Sequence, residues 1–377
     1  MTNQKQIKTN QTFAKFRFSN TIKASLDEGV TACLNFCIPE ISQSLAGGLR
    51  KSSINIIAAN TGCGKSWLAT NQAVTTANSG KYTLIISTEL GQTEMLARII
   101  SIITKIEIFW IDSINDKRYS FLTNIIKALS SEQVYTREMI QELDPDNYLR
   151  LKEVGENIDP INIFRGYQDK YKNITEFLCI IYDIKIEDMF DNIVLLSTEL
   201  QNSEKVLDMI VIDHCDFMSS KNAMLNRDEL SRDAFFLEQL FQIVRNKKLT
   251  ALVVKQMSKP VNRIADVNAS ESDLIRGTRH WQYLSSAIFL LLETTEQKDI
   301  NYEMGGNLKQ LTLCLGKRRT LGAIHFDSNG KFIENPENIK NSKKVYGKNH
   351  EITYKQSTGE FAYIRPTPKT DNSYGKR

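Results

Sequence analysis

The chain has 377 residues and a formal net charge of +4. That is long enough for one large α/β domain with accessories or for two domains, and too near neutral for charge alone to argue a nucleic-acid partner. The six cysteines, at 33, 37, 63, 179, 215 and 314, are too dispersed for a disulfide framework, and the lone C-x₃-C of Cys33 and Cys37 has no second pair to complete a zinc site. No run reaches the ~18–20 apolar residues of a membrane span, and MTNQKQIKTN has no apolar signal core, so the expectation is a soluble protein of a reducing cytoplasm.

Residues 1–33 are polar and basic, with one short helix expected around Phe13 to Leu26, and read as a linker or docking segment. The stretch Ser53 to Ser66, SINIIAANTGCGKS, carries the densest chemistry. It opens as a buried strand over Ile54 to Ala58, turns through Asn60, Thr61, Gly62, Cys63 and Gly64, and ends on Lys65 and Ser66. A helix pattern with Trp67, Leu68, Ala69, Ala73 and Val74 follows. Strand, glycine-bearing turn, Lys-Ser and helix make the layout of a phosphate-binding loop. Backbone N–H groups of the turn face the phosphates, the Lys65 ammonium reaches the β/γ-phosphates, and the Ser66 hydroxyl holds Mg²⁺. The expected nucleotide contacts run from Asn60 to Trp67. Ala59 stands where the G-x-x-x-x-G-K-[ST] pattern has its first glycine.

A second strand is expected at Tyr82 to Ser87, ending at Thr88 and Glu89, with a helix over Gln92 to Ile103. A carboxylate at a strand tip beside a phosphate loop is where a water-activating base belongs; the alternative for Glu89 is a solvated surface residue. From about 105 to 205 the pattern gives helices at 119–130, 136–154 and 175–190 and a short strand at Ile161 to Phe164, and reads as a partly inserted helical segment. Leu207 to Asp213 is a third apolar strand whose terminal Asp213 is placed to hold Mg²⁺ through water. The helix after Asn226 carries Leu230, Phe235, Leu237, Leu240, Phe241 and Val244 at core spacing.

Leu249 to Gln256 is a fourth strand, and Gln256 either reads a γ-phosphate or caps a loop. The polar loop Lys259 to Asp273 leads to Arg276, Gly277, Thr278 and Arg279, a composition that suits nucleic-acid phosphates or an ordinary surface loop. Strands follow at Ala287 to Leu292 and at Gln310 to Leu315, the latter ending in Gly316, Lys317, Arg318 and Arg319. These cations form a solvated turn or complete an anion site from outside the subunit. Ala323 to Phe326 reads as a last short strand, and residues 331–377 as a basic, flexible tail with a hairpin as the alternative. Strands tipped by acids or amides and alternating with helices describe an open, mostly parallel sheet with ligand at the strand tips.

In this order the signatures resemble the RecA-fold ATPase domain of DnaB-like replicative helicases of bacterial or phage type. IIAANTGCGKS is similar to that family's phosphate loop, in which Ala for the first Gly is common, and STELGQTEMLAR at 87–98 to the signature after it. LDMIVIDHCDFM at 207–218 resembles the Walker B strand, NRDELSRDAFFLEQL the helix beginning Asn-Arg, and VVKQMSK the γ-phosphate-sensing motif. ESDLIRG at 271–277 is similar to the DNA-contacting loop, and LGKRRTLG at 315–322 to the Lys-x-Arg motif that reaches a neighbour's nucleotide. Three positions depart from the pattern: Asp216 stands in place of a Gln, Lys255 in place of a small residue, and Ile275 is an extra residue in the DNA-contacting loop.

The resemblance implies a P-loop NTPase of RecA-like fold over about 34–330, with a helical insertion at about 105–205 and flexible termini. It implies ATP and Mg²⁺ as cofactors. Glu89 becomes the catalytic base, Gln256 the γ-phosphate sensor, and Lys317 and Arg319 trans-acting cations with Arg319 as arginine finger. Lys259, Arg263, Arg276, Gly277 and Arg279 become DNA contacts. The partners implied are single-stranded DNA, other copies of the chain in a ring, six in number, and a primase or helicase loader, in the cytoplasm of a bacterial or phage-infected cell. The alternative function is a RecA-fold ATPase that does not unwind and serves recombination, loading or remodelling.

Overall fold

Residues 33–45, 47–105, 116–143, 160–258, 275–277, 280–293, 308–318, 349–355 and 360–363 are described by a computed structural model. A short ribbon, β1 (Cys33–Leu34) with β2 (Leu49–Arg50), and α1 (Pro39–Ser44) between them precede the main sheet. The sheet is built from β3 (Ser53–Ala59), β4 (Tyr82–Ser87), β5 (Leu178–Tyr182), β6 (Leu207–Asp213), β7 (Thr250–Gln256), β8 (Ser285–Glu293), β9 (Leu308–Arg318), β10 (Asn349–Lys355) and β11 (Glu360–Tyr363). Their order is β11-β10-β9-β8-β3-β7-β6-β4-β5. The run from β8 to β5 is parallel throughout, and β9, β10 and β11 add an antiparallel flank.

Central parallel strands are covered on both faces, so β3 and β6 are buried at every residue. Side chains alternate between two apolar layers. Ile57 and Ala59 face a layer with α2 (Lys65–Asn78), α3 (Gln92–Thr104), α4 (Asp116–Ser130), α5 (Arg137–Leu143) and α6 (Pro160–Phe177). Ile54, Ile56 and Ala58 face the other, with α7 (Ile186–Asn202), α9 (Glu229–Asn246) and α10 (His280–Leu284). The five-residue helix Ala223–Arg227 is α8. No helix among the described residues is long and apolar enough to cross a membrane. The six cysteines are free thiols, and burial pushes the Cys37 thiol up to about 12.

The expected strands at 54–58, 82–87, 207–213, 249–256, 287–292 and 310–315 are present, three of them extended by a residue or more at each end. Three expectations are corrected. Ile161 to Phe164 is the first turn of α6, whose Phe164 and Ile174 point into the core beside half-buried Ile161, Tyr167 and Tyr171 at helical spacing. The helix expected at 175–190 is two elements, because Leu178–Tyr182 leaves the helix to pair in parallel with β4 as an edge strand. The segment at 105–205 is therefore not wholly an insertion. The flexible tail is corrected at 349–355 and 360–363, where β10 pairs with β9 and β11 pairs with β10. Phe13 to Leu26, residues 144–154 of one expected helix, and Ala323 to Phe326 lie outside the described residues.

Candidate nucleotide-binding and hydrolysis site

The parallel strands end on one edge of the sheet, and the candidate residues gather there. Ala59 at the tip of β3 is in register with Gln256 on β7 and Leu291 on β8. The chain then turns through Asn60 to Gly64 into α2. Gly64 is the N-cap at φ +82, a left-handed conformation that favours glycine, and no side chain caps this helix or places an acid in its first turn. The first-turn N–H groups and the positive end of the helix dipole are thus left for an anion. Lys65 is 6% exposed and has no carboxylate partner among the described residues. A lysine so placed at the start of a helix suits an anionic ligand such as phosphate.

Asp213, at the tip of β6, is 1% exposed. Its Oδ1 accepts the Ser66 hydroxyl at 3.0 Å, and its Oδ2 is buried without a partner among the described residues. Burial pushes this carboxyl above its usual range; the Ser66 hydrogen bond and the charges of His214 and Arg98 oppose that, and Glu89 adds to it. An orphaned buried carboxylate oxygen beside a serine hydroxyl and a phosphate cradle fits Mg²⁺, a hard cation that takes oxygen ligands.

Next to β6, β4 ends at Ser87, in register with Asp213. The Thr88 N–H donates to the Asp213 carbonyl at 2.9 Å and its hydroxyl to the His214 carbonyl at 2.7 Å. This pins Glu89 beside Asp213, with its Oε2 3.1 Å from His214 Nε2 and its side chain about half exposed at 49%. A carboxylate beside an imidazole and open to water is where a water-activating base would stand.

The structure brings Lys65, Ser66, Glu89, Asp213 and Gln256 to one edge of the sheet. Cys63 and Trp67 turn their side chains into the core, so only their backbone is available to a nucleotide. The backbones of Lys317 and Arg318 end β9; Arg319, Lys259, Arg263 and Arg279 lie outside the described residues. Arg276 places its guanidinium on Glu229, at 2.8 and 3.0 Å, and so is held by a carboxylate here.

Two residues were missed in the sequence. His214, fully buried, brings its Nε2 to 3.1 Å from Glu89 Oε2. Arg98 lies over the Trp67 ring at 5.2 Å, bonds Glu94 through Nη2, keeps Nε and Nη1 buried without a partner among the described residues, and its charge acts on Asp213. Both stand inside the quoted signatures, at 98 and 214, but nothing in their spacing distinguishes them from core residues.

A glycine-bearing turn into a helix, with carboxylates at the tips of adjacent parallel strands, sits on a mostly parallel sheet flanked by helices, the RecA-like fold. Residues 40–147 match the family described as DnaB-like helicase C terminal domain. Among solved structures, one described as an ATPase domain superposes with a TM-score of 0.56 at 12% identity, covering 93% of this chain and 99% of that one. "The Structure Of A DnaB-Like Replicative Helicase And Its Interactions With Primase" gives 0.56 at 12% identity, over 92% of this chain; the chain spans 65% of that protein's length. At that identity the two likenesses establish the fold. No curated protein matches the chain.

Proposed function

We infer that the chain is an ATP-hydrolysing replicative DNA helicase that moves along single-stranded DNA. The observation that carries this reading is the cradle of Lys65, Ser66 and Asp213 beside a half-exposed Glu89 in a DnaB-like domain. The α2 N–H groups, with those of Asn60 to Trp67, and the Lys65 ammonium bind the phosphates. Ser66 and Asp213 are the residues that would hold Mg²⁺, which when bound neutralises charge on the β- and γ-oxygens. Glu89 orients the attacking water and takes its proton, Gln256 reads the γ-phosphate, and charge on the departing oxygen is met by Lys317 and Arg319 of a neighbouring subunit.

The register of β8 and β9 supports supply in trans. Arg318 lies opposite Ala287, and Ala287 opposite Asn55, four residues before the Ala59 that opens the phosphate loop. At the rise of a strand that is about 13 Å, so the basic end of β9 sits toward the far edge of the sheet from its own nucleotide. A homo-oligomeric ring, taken to be a hexamer, lets one subunit's edge face the next one's site. DNA in the ring then meets Lys259, Arg263, Arg276, Gly277 and Arg279, with a primase or loader as further partner.

Lys65→Ala is expected to weaken nucleotide binding roughly 10²-fold, the size of a lost charge-assisted contact to phosphate. Titration with a fluorescent ATP analogue reads this, and unchanged affinity removes Lys65 from the cradle. The reading as a whole is tested by ATP hydrolysis with and without single-stranded DNA and by opening of a forked duplex. Stimulation with strand opening is expected. Stimulation without opening makes the chain a DNA-dependent ATPase of another kind, and the absence of both overturns the reading.

A further inference from the structure

Behind the phosphate cradle lies a buried charge cluster that the hydrolytic site does not use. Lys255, the penultimate residue of β7, is 1% exposed, and its Nζ is 2.6 Å from Asp216 Oδ1 and 2.9 Å from Asp233 Oδ1. It also lies 4.8 Å from the centre of the Trp281 ring. The other two carboxylate oxygens are engaged as well. Asp216 Oδ2 accepts the Gln256 N–H at 2.9 Å, and Asp233 Oδ2 accepts Trp281 Nε1–H at 2.7 Å. Cys215, Asp216 and Asp233 present ligand atoms within 4.8 Å of one another, but the Lys255 ammonium already bonds both carboxylates and serves as their cation. Burial on its own lowers the Lys255 pKa, yet Cys215, Asp216 and Asp233 reverse that and hold it above its usual range.

Two of the departures from the family pattern, Asp216 and Lys255, are thus one feature, an ion pair between the ends of β6 and β7. A buried ion pair is a weak source of stability compared with apolar packing; its attested use is to fix one arrangement among several. What it fixes here is visible. The Gln256 N–H rests on Asp216, and the Gln256 carbonyl accepts the Arg276 N–H at 3.0 Å. Met257 and Ile275 form an antiparallel bridge. Gly277, at φ +105, lies so close to the cluster that a Cβ there would be 2.2 Å from Asp233 Oδ2 and 3.2 Å from Lys255 Nζ.

We propose that the Asp216–Lys255–Asp233 cluster is a positioning device that locks Gln256 and residues 275–277 into one register, so that nucleotide at the tip of β7 and DNA at 275–277 are sensed together. The proposal rests on the helicase reading above. Asp216 holds Gln256 from behind, Asp233 and Lys255 form the floor under Gly277, and neither segment moves without disturbing the other.

The test replaces Asp216 by Asn and, separately, Asp233 by Asn. Each variant leaves Lys255 in a one-to-one pair, so no unpaired charge is buried. At each position, though, two donors then converge on a group with a single acceptor oxygen. Affinity for a fluorescent single-stranded oligonucleotide is measured with and without a non-hydrolysable ATP analogue. In the unaltered protein the analogue is expected to change DNA affinity by about 5–150-fold, the usual span of coupling between sites. In both variants that ratio falls towards one, while DNA affinity without nucleotide and basal ATP hydrolysis stay within about threefold of the unaltered protein, a small part of that span. A full ratio in the variants overturns the proposal alone. Loss of folded structure or of basal hydrolysis in both variants overturns it in favour of a purely structural cluster. Absence of any nucleotide effect in the unaltered protein overturns the helicase reading along with it.

Discussion

Arg319→Ala is expected to lower ATP turnover by roughly 10³–10⁵-fold, the contribution of an arginine finger, and to leave nucleotide binding unchanged. The separation follows from where the cradle ends. Lys65, Ser66 and Asp213, the proposed cradle, belong to one subunit, whereas the β9 end lies toward the opposite edge of that subunit's sheet. A residue acting from there meets only the charge that develops in the neighbour's reaction. Steady-state hydrolysis together with nucleotide titration checks the prediction, and retained hydrolysis would sink the interface assignment. Mixing Arg319→Ala with Lys65→Ala subunits makes it stricter. Mixed rings regain sites with an intact cradle facing an intact Arg319, so activity exceeds that of either variant alone; additive, near-zero activity speaks against sharing.

Glu89→Gln is expected to lower kcat by roughly 10²–10⁴-fold, the range for a positioned general base. Gln keeps the size of the side chain and its contact with His214 Nε2 but cannot accept the water's proton at neutral pH. Nucleotide affinity should hold, because Glu89 is a base toward water and not part of the cradle. Single-turnover hydrolysis at saturating ATP isolates the chemical step. An unchanged rate would return Glu89 to the status of a surface carboxylate, as its 49% exposure alone would suggest.

The legible part of this protein was the part buried on both faces. The apolar runs of β3, β6 and β7 leave no alternative to central parallel strands, and the acids and amides that follow them fell into one site because parallel strands share an end. What failed was at the edges. Leu178–Tyr182 is half-buried and follows directly on α6, so its five residues fit the tail of a helix as well as a strand until β4 is there to pair with. Ile161 and Phe164 fit either period when read four at a time, and only the full turn-by-turn series through Ile174 favours the helix. The ion cluster failed for another reason. Asp216 and Lys255 are each odd where they stand, and nothing along the chain pairs charges that come from neighbouring strand ends.

The hairpin of β10 and β11 bears on how much of the chain makes one folding unit. Composition invites a boundary near residue 330, but seven residues of β10 pair with β9, and Ile352 is fully buried against the core. A chain stopped at that boundary would strip this cover and leave β9 with an open row of unpaired N–H and C=O groups, an edge that invites strand pairing with other molecules. Aggregation of such a truncated protein would then report a bared strand, with no bearing on the nucleotide site on the far side of β8.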